Sequence, residues 1–151
     1  IIFLLHKPVG MGEKKDVLSP FDYDTHLFFE MFNAKKYCDL AGFDSCSVPA
    51  LLEYAERLDR NTMEPCEGAR FSAYIAPDMT MVPCSFDTQH RWGVSLKTSD
   101  IKTAWDSPAF DDFRSRLCGC SHCEDSAYCL GGCPIAAETV LCKEYQKRRL
   151  Q

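Results

Sequence analysis

The chain has 151 residues, 46% of them apolar and 12% aromatic, with a formal charge of −5. A chain of that length buries roughly two-thirds of its unfolded surface and needs no staples to fold. The only basic run is Lys147-Arg148-Arg149, too little for phosphate neutralisation, so nucleic acid is not an expected partner; no apolar run approaches the roughly 20 residues that span a bilayer, so neither is a membrane.

In chain order, Ile1 to Leu5 is short, wholly apolar and β-branched at its start, as a buried strand is. His6 to Ser19 carries Pro8, Gly10, Gly12 and a charged run, which is loop chemistry. Leu27, Met31, Ala34 and Leu40 recur at helical spacing from about Phe21 to Ala41, with Gly42 as a stop. Phe43 to Cys46 reads as a second short strand, and Ser47 as the cap of a helix running through Pro49, Leu51, Leu52, Ala55 and Leu58. Strand, helix, strand, helix is the order of an α/β layer with parallel strands. Two strands make a poor core, and the chain starts at Ile rather than Met, so the expectation is a piece of something longer.

Composition changes after Met63. Arg70 to Ala76 and Thr80 to Cys84 form a predicted hairpin around the turn Pro77-Asp78-Met79-Thr80. Two short helices are predicted, over Ser99 to Trp105 and Pro108 to Leu117. Periodicity then vanishes from Cys118 to Cys133, and a last helix follows Cys142.

Ten cysteines need a reason. Free buried thiols account for a few at most, and disulfides belong to oxidising compartments that nothing here signals. Spacing decides for ligation. Cys120-x2-Cys123-x5-Cys129-x3-Cys133 is followed by Pro134 and, eight residues further, by Cys142, with Cys66 and Cys84 upstream. Thiolates so close in an irregular loop converge on one centre more readily than they meet disulfide geometry. Zinc often uses two Cys-x2-Cys knuckles, and here there is one such pair. The run ends Cys-x3-Cys-Pro as bacterial ferredoxin runs do, where the last cysteine serves the other cluster. Spacing therefore favours iron–sulfur over zinc.

These residues resemble the SPASM domain of radical SAM enzymes, whose pattern is Cys-x9–15-Gly-x4-Cys, a gap, Cys-x2-Cys-x5-Cys-x3-Cys, a gap and a final Cys. The second block matches at every cysteine. The first matches in length, with twelve residues between Cys66 and position 79, but position 79 is Met where the family has Gly. The likeness, which extends over Ala76-Pro77-Asp78, Val82-Pro83-Cys84 and Gly131-Gly132-Cys133-Pro134, covers about residues 64 to 145. It points to the C-terminal region of an enzyme of the anaerobic sulfatase-maturase or peptide-maturase type. It implies two auxiliary [4Fe–4S] clusters: cluster I on Cys66, Cys84 and Cys133, and cluster II on Cys120, Cys123, Cys129 and Cys142. A fourth ligand for cluster I has two candidates, Cys118 and Cys46. Cys38, mid-helix, is read as a buried hydrophobe.

The family's Cys-x3-Cys-x2-Cys core motif does not occur in these 151 residues; after Cys129 and Cys133 the next required position is Ala136. S-adenosylmethionine is thus expected only in a full-length enzyme, and this chain alone is not expected to be catalytic. The expected class is a mixed α+β chain. Residues 1–62 would be the last βα units of a partial (β/α)6 barrel, and residues 63–151 a SPASM-type domain with a hairpin, short helices and Cys-rich loops. His6 and Lys7, after the first strand where barrel enzymes place their sites, are candidate substrate or cofactor contacts. The resemblance further implies a peptide or protein substrate, an external electron donor, and clusters that conduct electrons or anchor substrate; a cytoplasmic location is also expected. Competing readings are a zinc-binding structural or interaction module and an independent ferredoxin-like carrier.

Overall fold

The computed structural model describes residues 1–34, 41–56, 59–117, 120–121 and 123–151. Cys38 and Cys118 lie outside these residues, so the buried-hydrophobe reading of the first and the ligand candidacy of the second are left where the sequence put them.

The predicted order of the first region holds, with shorter strands. β1 (Ile2–Phe3) pairs in parallel with β2 (Gly42–Phe43), Ile2 opposite Gly42 and Phe3 opposite Phe43. Between them runs α1 (Tyr23–Asn33), and α2 (Val48–Tyr54) follows. The buried face of α1 differs from the expected one: Thr25 and Phe29 are covered, whereas Leu27 and Met31 are half-buried and Ala34 is exposed. The aromatic rings decide the helix's rotation. Phe29 stacks on Tyr54 at 5.0 Å and meets Phe28 and Phe32 edge-on, and large rings bury more area than Leu or Met at competing positions. The Thr25 hydroxyl donates to the Ser19 carbonyl at 2.9 Å and so survives burial. Phe29, Ala50, Leu51 and Leu141 form the core of this region, so residue 141 of the cysteine-rich part completes it.

Residues Phe43 to Cys46 are not a strand throughout. β2 ends at Phe43, and Ser45–Ser47 is a 3-10 turn. Asp44 causes the break: its Oδ1 accepts the Ser47 backbone N–H at 3.1 Å and the Ser47 hydroxyl at 2.5 Å, a local alternative to the sheet ladder. Ser47 accordingly makes no side-chain cap on α2, whose first turn is set by Pro49.

The second region is a small antiparallel sheet backed by helices. β3 (Tyr74–Ile75) and β4 (Thr80–Val82) form the expected hairpin, and β5 (Val94–Ser95), absent from the sequence reading, adds to β4. α3 (Ile101–Trp105) is capped by Asp100, which accepts the Thr103 N–H at 2.8 Å, and α4 (Pro108–Ser115) by Ser107. Phe110 and Phe113, three apart on α4, are fully buried with Met81, Trp92, Ala104 and Leu117. Such a ring contributes about 1.5–3 kcal/mol on burial. Asp112 accepts the Trp92 indole N–H at 2.7 Å, which leaves no polar edge unsatisfied beside Phe113. Cys66 packs against this core, with Gly68 lying flat on the Phe113 ring, where a Cβ would come within 3.3 Å of it.

A short helix, α5 (Ser126–Cys129), interrupts the stretch expected to be irregular, and α6 (Lys143–Arg149) is the predicted final helix. Lys147, Arg148 and Arg149 sit in its last turn, where positive charge complements the helix dipole. Among the described residues no helix is long and apolar enough to cross a membrane.

Candidate metal centre

The described cysteines fall into two groups, and the turn Leu130-Gly131-Gly132 separates them. All three residues have positive φ, at 52°, 82° and 84°, which reverses the chain between Cys129 and Cys133. Only glycine fits at 132: a Cβ there would lie 2.7 Å from Val140 Cγ2. Cys129 lines a cavity that Cys133, four residues on, does not.

Cys120, Cys123, Cys129 and Cys142 line one cavity of about 150 Å3, against the roughly 10–15 Å3 that admits one water. α2 supplies its far wall through Pro49, Leu52 and Glu53. Glu53 accepts the Lys143 backbone N–H at 2.7 Å, fastening the start of α6 and with it Cys142. Gln146 is buried and donates from Nε2 to the Ala137 and Val140 carbonyls, both at 2.9 Å, which holds the other edge. The Cys129 sulfur accepts the Gly131 N–H at 3.3 Å. Burial pushes the Cys129 and Cys142 thiols above their ordinary pKa, and Glu53 adds to the shift at Cys142. Arg148 reaches Cys120 from the surface, and that hydrogen bond raises the guanidinium's own pKa. Arg60 pairs with Asp125 at 2.8 Å on the same wall.

Cys66, Cys84 and Cys133 form the second group, and Cys46 joins them. Cys46, Cys84 and Cys133 each raise the pKa of Cys66, Cys46 also that of Cys84, Cys84 that of Cys133, and Cys133 that of Cys46. In each, burial is the largest cause, and it carries Cys66 to about 11. Backbone N–H groups work the other way, from Gly68 on Cys66, from Phe86 on Cys84, and from Ala136 on Cys133 at 3.3 Å. These N–H···S bonds favour the thiolate that ligation requires.

Lys7 stands within this second group. Its side chain is 2% exposed, 3.3 Å from Asp44 Oδ2, and its ammonium lies 4.6 Å from the centre of the Phe86 ring. Burial opposes its charge, but the Cys46 thiol and the Asp44 carboxylate outweigh burial and hold the lysine pKa above its ordinary value. Lys7 thus faces the thiols. His6 sits on the surface loop, with Nε2 3.1 Å from the Glu13 carbonyl. Sequence reasoning had named Lys7 for its position after β1; its partners Asp44 and Cys46 are nearly forty residues away, and no local pattern marks them.

The hairpin ahead of Cys84 carries the expected departure from the family pattern. Met79 takes φ 68°, the left-handed conformation that glycine adopts freely. The turn is held by Met79 N–H to Ala76 C=O at 2.9 Å and Thr80 N–H to Asp78 Oδ1 at 3.0 Å.

The eight described cysteines are free thiols. Among the described residues no three His, Cys, Asp or Glu side chains are drawn together tightly enough for a single metal ion. Cys120, Cys123, Cys129 and Cys142 instead line a cavity. A tetrahedral zinc site, with Zn–S near 2.3 Å, sets its sulfurs roughly 3.8 Å apart, whereas a cubane puts an inorganic core between them. The donor set, four thiols lining a cavity in one group and a second set of buried thiols with backbone N–H partners in the other, fits the chemistry of iron–sulfur clusters.

Residues 66–125 match the family model of SPASM, an iron-sulfur cluster-binding domain. These residues are thus similar to a SPASM-type region, a likeness that implies iron–sulfur cluster binding and is typical of radical SAM enzymes. The match takes in Cys66, Cys84, Cys120 and Cys123 and ends before Cys129, Cys133 and Cys142. No curated protein and no solved structure matches the chain.

Proposed function

We propose that the chain holds two [4Fe–4S] clusters and forms the auxiliary-cluster part of a radical SAM enzyme that modifies a peptide or protein. Cluster II is assigned to Cys120, Cys123, Cys129 and Cys142, and cluster I to Cys66, Cys84 and Cys133 with a fourth ligand considered below. The observation that carries the reading is the single cavity lined by the first four, which come from three separate segments of the SPASM-type region and the chain beyond it.

When bound, the clusters supply one-electron transfer, at potentials set by charge, burial and hydrogen bonds to sulfur. The chain's residues provide those controls. Leu52, Val140 and Tyr145 wall the cluster II cavity, and the Gly131 and Ala136 N–H groups draw electron density from Cys129 and Cys133. Because burial keeps most of these thiols protonated in the ligand-free protein, loading releases protons. The electron donor is external, and S-adenosylmethionine binds only where the Cys-x3-Cys-x2-Cys motif is present. Thiolate ligation suits a reducing compartment, and the cytoplasm is the assigned location.

Residues 1–62 are assigned to the end of a partial barrel and 63–151 to the cluster domain. The parallel β1–β2 pair supports this, as do the outward-facing Ile2 and Leu4, each about three-quarters exposed, which offer an apolar surface to a larger sheet.

Anaerobic reconstitution followed by iron, sulfide and zinc analysis tests the proposal. About eight irons with matching sulfide per chain is the expected result. One or two zincs without sulfide would replace it with a zinc module.

A further inference from the structure

We infer that Cys46 supplies the fourth thiolate of cluster I, closing its coordination and tying residues 1–62 to the cysteine-rich region through iron. The inference rests on the cluster assignment above. Cys46 lies twenty residues before the first cysteine of the SPASM-type region, outside the matched residues, yet the fold sets it beside that region: Lys7 Nζ lies 3.3 Å from Asp44 Oδ2, two residues before Cys46, and 4.6 Å from the centre of the Phe86 ring, two residues after Cys84. The Cys66 and Cys84 segments meet as well, since a Cβ on Gly68 would lie 3.1 Å from the Pro83 carbonyl oxygen.

The turn that presents Cys46 is fixed from both sides. Asp44 Oδ1 holds Ser47, while Asp44 Oδ2 accepts from the Leu5 N–H and from Lys7 Nζ, both at 3.3 Å. Val48, Pro49, Ala50 and Leu51 are buried directly behind it. A thiol on so constrained a turn keeps its direction without a cluster. The Lys7 ammonium is buried against the same turn, paired with Asp44; an inert cysteine filling an apolar gap has no use for a buried cation. A cation does suit a thiolate and an anionic cluster.

Ligation by four thiolates has a functional consequence. Each iron of a cubane takes one, so cluster I keeps no open iron for substrate, and its role is electron conduction. Closure also means that part of the first region's stability comes from the cluster.

The test uses the full chain, reconstituted anaerobically, as wild type, Cys46→Ala, Cys46→Ser and Cys118→Ala, read by iron content and by EPR of oxidised and reduced samples. Cys46→Ala is expected to drop from about eight irons to about seven, with the oxidised-state signal of a three-iron cluster. Cys46→Ser offers an oxygen ligand in nearly the same volume, so it is expected to retain the eighth iron with a changed reduced-state spectrum. A packing role would leave the Ser spectrum as in wild type. Unchanged spectra and iron in both Cys46 variants, or a three-iron signal from Cys118→Ala alone, would overturn the inference while leaving the two-cluster reading intact. A wild-type chain that takes up no sulfide would overturn that reading and this inference together.

Discussion

The two thiol sites are built in opposite ways. The proposed cluster II draws three of its four cysteines from the ten residues Cys120 to Cys129, and Cys123 is exposed. The site around Cys46, Cys66, Cys84 and Cys133 gathers residues from across the chain, and a buried cation stands within it. Acidic Glu53 and Asp125 border the first site, where the counter-charges, Arg60 paired with Asp125 and Arg148, are more exposed than Lys7. The difference teaches that local spacing builds one centre and tertiary folding the other. It also gives the two centres unlike electrostatics, and cluster I is expected to have the higher reduction potential, because a nearby positive charge stabilises the more negative reduced state.

The strongest way to break this comparison is to remove one of the two cysteines flanking the glycine turn. Cys129→Ala is expected to open one iron of cluster II, and Cys133→Ala one iron of cluster I, each taking the chain from about eight irons to about seven with a three-iron signal at that cluster and the other cluster's EPR signal retained. Loss of both signals from either variant would mean that the sites are not separate. A smaller effect isolates the cation. Lys7→Met is expected to lower the cluster I midpoint by on the order of 50 mV in an EPR-monitored redox titration and to leave cluster II in place. Asp44→Asn, which keeps the oxygen that accepts from Ser47, is expected to raise it. Equal shifts at both clusters would show that Lys7 acts on the fold as a whole. The smallest effect concerns the hairpin before Cys84. Met79→Gly relieves a left-handed non-glycine residue and is expected to stabilise the chain by about 0.5–1 kcal/mol in urea unfolding. A loss of stability would mean that the Met79 side chain, nearly half exposed, contributes more than its backbone costs.

Legibility in the sequence followed locality. The hairpin, α3, α4 and α6 could be read because their signals sit inside each element: Pro77-Asp78 at the turn, Asp100 and Ser107 at the caps, Pro108 at the first helical position. β5 could not. It is two residues long and exists because Thr80 and Met81 offer it a partner, a pairing that no window around Val94 contains. The strand expected over Phe43 to Cys46 failed for a related reason: apolar Phe43 and Cys46 suggest a strand, but Asp44 spends its carboxylate on Ser47, Leu5 and Lys7. That same carboxylate fixes the turn that carries Cys46. The cavity of the proposed cluster II was legible because most of its cysteines lie within one short run. Three cysteines of the other proposed site came through the family pattern, while Cys46 was one of two candidates, and only the fold shows its turn packed against Lys7.

Anomalous diffraction at the iron edge, from crystals of the reconstituted chain, bears most directly on the claim that eight thiols form two groups of four. Two iron peaks are expected, one among Cys46, Cys66, Cys84 and Cys133, the other in the cavity lined by Cys120, Cys123, Cys129 and Cys142. A single peak, or scattering at the zinc edge in either position, would contradict it.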